Sequence, residues 1–219
     1  MSQTSILRRL GALGDIHCET ENLRTALEFL RTAAVERLMA VGDVADGPGD
    51  LNECCRLLEE HEVACVRGNH ERWLMHGEMR HLPEITPEDA VGMETRGFLS
   101  HLPVTLDFET VAGRLLLCHG LGTFDMGGVK PTDPEILLET NDSLLKLVIE
   151  KQYRFVLNGH THRRMVRRFG GMTIINAGTL YHRHHPCFLT ADFEAGVVQF
   201  YDLPGGGQVT DAECFKLDL

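Results

Sequence analysis

Leu38-Met39-Ala40-Val41-Gly42-Asp43-Val44-Ala45-Asp46 is a run of apolar residues that stops at a glycine and then delivers two carboxylates. A short apolar run of this kind reads as a fully buried strand. The glycine lets the backbone bend sharply or approach a ligand closely. The same design recurs along the chain. Leu10-Gly11-Ala12-Leu13 precedes Gly14-Asp15-Ile16-His17, and Val63-Ala64-Cys65-Val66 precedes Gly68-Asn69-His70-Glu71. Leu115-Leu116-Leu117-Cys118 runs into His119-Gly120, and Phe155-Val156-Leu157 leads to Gly159-His160-Thr161-His162. Asp, Asn and His are the residue types that ligate hard or borderline divalent cations. In open α/β sheets, ligands bind beyond the carboxyl ends of the strands, so all five segments can meet in one cleft. A lone Asp-x-His says little, whereas five such strand ends in one chain point to a two-metal hydrolytic centre.

The segments between these strands carry helical periodicity. From Glu21 to Ala34, the residues Leu23, Ala26, Leu27, Leu30 and Ala34 recur at helical spacing. Asp50 is placed to cap a helix running through Leu51, Cys54, Cys55, Leu57 and Leu58 to His61. Such β-α-β alternation implies parallel strands with right-handed crossovers. Residues 71–100 read as mainly helical, broken by Pro83 and Pro87. That insertion follows His70 directly and is either a cover for the cleft or an ordinary packing layer. In the second half, residues 104–108 and 114–118 read as a strand pair turning at Ala112-Gly113. Gly120–Gly128 reads as a loop, and Asp133 or Pro134 opens a helix through Ile136, Leu144, Leu145, Val148 and Ile149. Short strands follow around Phe155, Val166, Ile174, Phe188 and Val198, with Gly170-Gly171 as a hairpin turn. No repeat or linker interrupts the chain. The expected fold class is α/β, with two packed mixed sheets flanked by helices in a single domain, residues 1–219.

Composition narrows the partners. The chain has 219 residues, 43% of them apolar, and a net charge of −11. A polymeric nucleic-acid partner calls for a basic protein, so that class is not expected. A small phosphorylated substrate remains compatible, because bound metals reverse the local field. The seven cysteines are odd in number and contain no C-x-x-C. They read as reduced, packed thiols of a cytoplasmic protein, and Cys18, beside His17, reads as packed rather than as a soft zinc ligand. Met1–Arg9 lacks the apolar core of a signal peptide. No stretch is long and apolar enough to span a bilayer, so no membrane is expected. The oligomeric state is open.

The ordered set Asp-x-His (Asp15, His17), Gly-Asp-x-x-Asp (Asp43, Asp46), Gly-Asn-His-Glu (residues 68–71), His-Gly (His119) and Gly-His-Thr-His (residues 159–162) resembles the calcineurin-like metallophosphoesterase superfamily. The resemblance runs from Leu10 to Leu180. It implies a four-layer α-β-β-α sandwich and a dinuclear metal site. The compact size and the Gly-His-Thr-His ending look most like the small prokaryotic phosphodiesterase branch. Carried over, the resemblance gives one metal to Asp15, His17, Asp43 and His162, and the other to Asp43, Asn69, His119 and His160. Asp43 would bridge, since a carboxylate offers two oxygens. His70 would sit by the leaving-group oxygen without binding metal, and Asp46 would orient it. Asn176-Ala177-Gly178-Thr179 resembles the family's late Asn-Pro-Gly-Ser turn. The chain also departs from the family. Cys18-Glu19-Thr20-Glu21 replaces a short glycine-containing turn. Asp46-Gly47-Pro48 stands where the protein Ser/Thr phosphatase branch has Asp-Arg-Gly, so that branch's phosphate-binding Arg is missing. Arg67-Gly68-Asn69-His70-Glu71 does look like that branch and like the diadenosine tetraphosphatases, but the Gly-His-Thr-His ending weighs more.

Two cations about 3.5–4 Å apart clamp a phosphoryl group and lower the pKa of a bridging water toward about 7. The hydroxide so formed attacks phosphorus in line, and the metals neutralise the equatorial oxygens. A protonated His70 donates to the departing alkoxide, an effect worth roughly 10²–10⁴-fold, and Asp46 favours the imidazolium. The expected enzyme is a phosphodiesterase acting on a small substrate such as a nucleotide or cyclic nucleotide. The alternatives are a phosphomonoesterase (a nucleotidase or a protein phosphatase) and a non-catalytic scaffold of the same fold. Mn²⁺ is the metal expected first, and Fe, Zn, Co and Ni also suit these donors. Arg67 reads as a solvated strand-end residue. Tyr181-His182-Arg183-His184-His185 reads either as pocket lining or as a solvated loop.

Overall fold

A computed structural model describes residues 6–219. Residues 1–5, which begin the expected domain and most of the stretch read as lacking a signal peptide, lie outside the described residues. The first half builds β1 (Arg9–Leu13), α1 (Thr20–Thr32), β2 (Arg37–Ala40), α2 (Leu51–Glu60), β3 (Ala64–Cys65), α3 (Asn69–His76) and α4 (Met93–His101). The second half builds β4 (Thr105–Thr110), β5 (Gly113–Cys118), α5 (Glu135–Leu138), α6 (Asp142–Glu150) and β6 (Phe155–Asn158). It continues with β7 (Met165–Phe169), β8 (Met172–Asn176), β9 (Cys187–Asp192), β10 (Val197–Gly205) and β11 (Gln208–Lys216).

These strands form two mixed sheets, in the orders β11-β10-β9-β1-β2-β3 and β4-β5-β6-β8-β7. In the first, β1, β2 and β3 are parallel and β9 joins β1 antiparallel. In the second, β5, β6 and β8 are parallel, with β4 and β7 antiparallel at the edges. The parallel strands are buried on both faces, which is why they read as continuous apolar runs rather than as alternation.

Side chains sort by the two-residue period of a strand. Leu10 and Ala12 of β1, Leu115 and Leu117 of β5, and Phe155 and Leu157 of β6 share one core between the sheets. Leu13 points the other way, into a core with Leu27 and Leu30 of α1 and Cys54 and Leu58 of α2. Leu116 and Val156 form a third core with Leu144 and Leu147 of α6. Three cores between four layers give the α-β-β-α sandwich. Asp50 caps α2 as expected, its carboxylate accepting from the Asn52 amide at 2.8 Å.

The elements differ from the sequence expectation in three places. Residues 77–92 are not helical apart from a short turn at Glu88–Ala90. Gly77 ends α3 in a left-handed conformation (φ 67°), and Pro83 and Pro87 disfavour helix around them. The helix expected from Asp133 to Ile149 is split into α5 and α6, because Asn141 starts a new helix by accepting the Leu144 amide at 3.0 Å. Strand β11 carries no apolar run, since it is a largely exposed edge strand paired only with β10.

Phe155 is fully buried in the inter-sheet core, with its ring centroid 4.9 Å from that of Phe193. Phe155→Ala is expected to cost ~3–5 kcal/mol, read as a lowered urea midpoint. An unchanged midpoint would mean that the inter-sheet core does not carry the fold.

Candidate metal centre

The strand ends of both sheets deliver their polar residues to one place. Asp15 follows β1, Asp43 follows β2, Asn69 opens α3 after β3, His119 follows β5, and His160 follows β6. The chain reverses sharply at these points. His17, Asp43, Asp46, His160 and His162 all have positive φ, between 47° and 66°. A non-glycine residue held there costs of order 1–3 kcal/mol, and such strain gathers at functional sites.

The seven expected ligands converge. His17, Asp43 and His162 form one group and Asp43, His119 and His160 another, with the ligand atoms in each group within 4.8 Å of one another. Asp43 belongs to both. The Oδ1 atom of Asn69 lies 2.9 Å from His119 Nε2 and 3.0 Å from His160 Nδ1. His17 Nε2 and His162 Nε2 face each other at 3.1 Å. Asp15 is fully buried, and its Oδ2, 3.5 Å from His162 Nε2, has no hydrogen-bond partner among the described residues. The outer nitrogens are tied down. His17 Nδ1 donates to the Asp46 carbonyl and His119 Nδ1 to the Val41 carbonyl, each at 2.8 Å. That arrangement aims Nε2 inward, as metal-binding histidines require.

The electrostatics fit a cation. Burial pushes the Asp15 carboxyl up to about 7, against the pull of His119. Burial alone would lower His119, but Asp43 and Asp15 outweigh it and raise the imidazole to about 10. Burial, with His17 beside it, holds His162 down to about 3. The buried carboxylates thus favour positive charge at this point. An orphaned carboxylate oxygen, inward-facing ring nitrogens and an Asn oxygen make a mixed N/O donor set suited to first-row divalent metals.

His70 lies at the rim, outside both groups, with its ring centroid 4.8 Å from that of His17. Its Nδ1 donates to Asp46 Oδ2 at 2.8 Å, so the expected pairing is formed. Burial opposes the charged ring, but Asp46 and Asp43 together raise its pKa. The non-helical segment 77–92 secures the other side of Asp46. Arg80 Nη2 donates to Asp46 Oδ1 at 2.5 Å, and the Thr86 amide donates to the same oxygen at 2.8 Å. Glu84 of the same segment accepts from the Tyr181 hydroxyl at 2.7 Å and from Arg183 at 2.6 Å. This insertion therefore borders the cleft.

Gly47 explains the missing arginine. A Cβ there would lie 1.7 Å from the His17 carbonyl oxygen, so no side chain fits at that position. Cys18 is buried, its Sγ 3.5 Å from the Val44 carbonyl, and burial raises its thiol pKa. It belongs to neither ligand group and is packed as expected. The Asn176–Thr179 turn braces Asp15. Thr179 Oγ1 donates to the Asp15 carbonyl at 2.7 Å, while Asn176 Nδ2 donates to the Gly159 carbonyl at 2.6 Å.

Sequence reasoning missed Glu71, Arg80 and Thr86. The fully buried Glu71 carboxylate accepts from four backbone amides: Asp43 at 2.9 Å, Val44 at 2.7 Å, Ala45 at 2.9 Å and Gly68 at 2.8 Å. A Glu at the third helical position, reaching back to the cap amide, is the acidic half of a capping box, so Glu71 was detectable in part. Nothing local marks Arg80, whose partner lies 34 residues away. Glu71→Gln would turn an amide NH₂ toward backbone donors. A loss of roughly 2–3 kcal/mol is expected, measured by urea unfolding of the metal-free protein. An unaltered midpoint would show that the clamp contributes nothing.

Comparison with known proteins agrees with this fold. The family model described as the calcineurin-like phosphoesterase superfamily domain matches residues 9–196. The solved metallophosphoesterase of Sphaerobacter thermophilus is similar at a TM-score of 0.71 and 17% identity, over 91% of this chain and 89% of that one. An archaeal phosphodiesterase gives a TM-score of 0.55 at 16% identity, over 89% and 99%. Vacuolar protein sorting 29 of Cryptosporidium parvum gives 0.60 at 18% identity, over 97% and 100%. At such identities the structural likeness is one of fold. The family match covers most of the chain, and the chain belongs to the calcineurin-like phosphoesterase superfamily.

Proposed function

We propose that this protein is a dinuclear metal-dependent phosphodiesterase acting on a small phosphodiester such as a nucleotide or cyclic nucleotide. The observation that carries the proposal is Asp43, shared between two ligand groups, with His70 beside them and outside both. Asp15, His17, Asp43 and His162 would hold one ion, and Asp43, Asn69, His119 and His160 the other. Mn²⁺ is proposed first, and Fe, Zn, Co or Ni would suit the same donors. Divalent ions bound there supply positive charge to the phosphoryl oxygens and lower the pKa of the attacking water. A single domain working in the cytoplasm is part of the same proposal.

The protein's own groups would then handle the leaving group. His70 has its Nδ1 committed to Asp46, which leaves Nε2 to give a proton to the departing oxygen. Asp46 stabilises the imidazolium, and Arg80 and Thr86 hold Asp46 so that its other oxygen faces His70. General-acid help of this kind is worth roughly 10²–10⁴-fold.

Preference for a diester rests on charge. A monoester dianion presents an additional anionic oxygen that needs a cation. The position where the phosphatase branch supplies an arginine is Gly47, closed by the His17 carbonyl. The nearby Arg80 gives its Nη2 to Asp46, while its Nε and Nη1 have no hydrogen-bond partner among the described residues. The likeness to a vacuolar sorting protein favours a second reading, a non-catalytic scaffold. The retention of all seven ligand positions and His70 weighs against it.

Metal-stripped protein reloaded with Mn²⁺ is expected to cleave nitrophenyl diesters faster than matched monoesters. His70→Ala is expected to lose about 10²–10⁴-fold in turnover while keeping its metal, with a smaller loss for better leaving groups. Faster monoester cleavage would move the reading to a phosphatase, and absence of metal-dependent cleavage of both would favour the scaffold. Asp43→Asn is expected to lower the content of both ions, counted by elemental analysis, and to abolish turnover. Full metal content with full activity would overturn the bridging role.

A further inference from the structure

Beside His162 lies an open cavity of about 470 Å³ whose wall includes Arg163, Arg164, Arg167, His184 and His185. The chain carries a net charge of −11, yet four of its 21 lysines and arginines are packed into Arg163-Arg164-Met165-Val166-Arg167-Arg168, directly after Gly159-His160-Thr161-His162. The facing wall is the loop that brings His184, whose Nδ1 lies 2.7 Å from His162 Nδ1. The cavity thus shares His162 with the candidate metal centre.

The positive charge is cancelled only in part: Arg168 pairs with Asp218 and Arg164 with two acids, while Arg163 and Arg167 have no acidic partner among the described residues. Glu213, the acidic residue in the wall, pairs with Arg164 at 2.7 Å, and Arg164 also bonds Asp202. Arg167 donates to the Asp133 carbonyl at 2.9 Å and the Lys130 carbonyl at 3.2 Å, which are neutral acceptors. Arg163 is exposed and makes no hydrogen bond or ion pair among the described residues. Here the arginines with no acidic partner open onto a cavity that touches the candidate centre.

We propose that this cavity binds a second phosphate group of the substrate, with Arg163 as its main contact, so that the substrate is a small phosphodiester carrying a further phosphate. The proposal rests on the phosphodiesterase reading. A guanidinium recognises a phosphate by paired, charge-assisted hydrogen bonds. A substrate with a single phosphate would occupy the metal centre and leave the cavity unused.

The test uses the Mn²⁺-loaded full chain and two matched probes, the p-nitrophenyl ester of thymidine 5′-phosphate with and without an added 3′-phosphate. The doubly phosphorylated probe is expected to show a KM about tenfold lower, a difference of about 1.4 kcal/mol. In Arg163→Gln the ratio of the two KM values is expected to fall to about one, and Arg163→Lys is expected to restore part of it. Equal KM values in the unaltered protein, or a ratio that survives Arg163→Gln, would overturn the proposal. Calorimetric binding of thymidine 3′,5′-bisphosphate against thymidine 5′-phosphate asks the same question without turnover. Should neither ester be cleaved, the phosphodiesterase reading fails, while the binding ratio still decides the cavity. Affinity that keeps rising with the length of an oligothymidylate would also overturn it, in favour of a polymer.

Discussion

The site depends on one buried carboxylate. Glu71 accepts from four backbone amides and joins the turn after β2 to the corner before α3. Burial and the neighbouring Asp43 push its pKa up, and the amide bonds from Ala45 and Gly68 pull it back. A buried charge without partners is costly, but here each oxygen is satisfied. The clamp fixes the positive-φ turn at Asp43, so the Asp43 side chain is aimed before any ion arrives. Gly68 is held to the same geometry, since a Cβ there would sit 2.2 Å from Asp43 Oδ1. With that corner set, the Asn69 oxygen and the His70 ring take their places on the first turn of α3.

A second constraint is charge. Asp15 and Asp43 are fully or almost fully buried, and their mutual repulsion contributes to raising Asp15. The same two carboxylates favour the charged form of His119. Ligands of this kind bind a cation in their deprotonated forms, so metal binding at such a site would depend on pH. Beside His162, Arg163 and Arg167 line a cavity that also borders the centre. Among the described residues, no helix is long and apolar enough to cross a membrane.

The parallel strands and their polar tips were legible because burial on both faces writes each strand as an unbroken apolar run. Helices α1 and α2 were legible from their apolar spacing and, for α2, from the Asp50 cap. The segment 77–92 was not. It reads as helix because its polar residues have helical neighbours, but Arg80, Glu84 and Thr86 are engaged by Asp46, Tyr181 and Arg183 instead. Strand β11 was invisible because an exposed edge needs no apolar face.

The sequence by itself determined which donor atoms exist and in what order they leave the strands, since Asp15, His17, Asp43, Asn69, His119, His160 and His162 are set by type and by strand end. It also determined that the loop after Asp46 carries no arginine. Tertiary structure alone decided what holds those donors and what surrounds them. Glu71 reaches back 28 residues to Asp43, Arg80 reaches 34 to Asp46, and the arginines after His162 meet a loop that begins near Tyr181. A hydrogen bond is specific in three dimensions and leaves no periodic trace in one, whereas burial acts on every turn of an element and does.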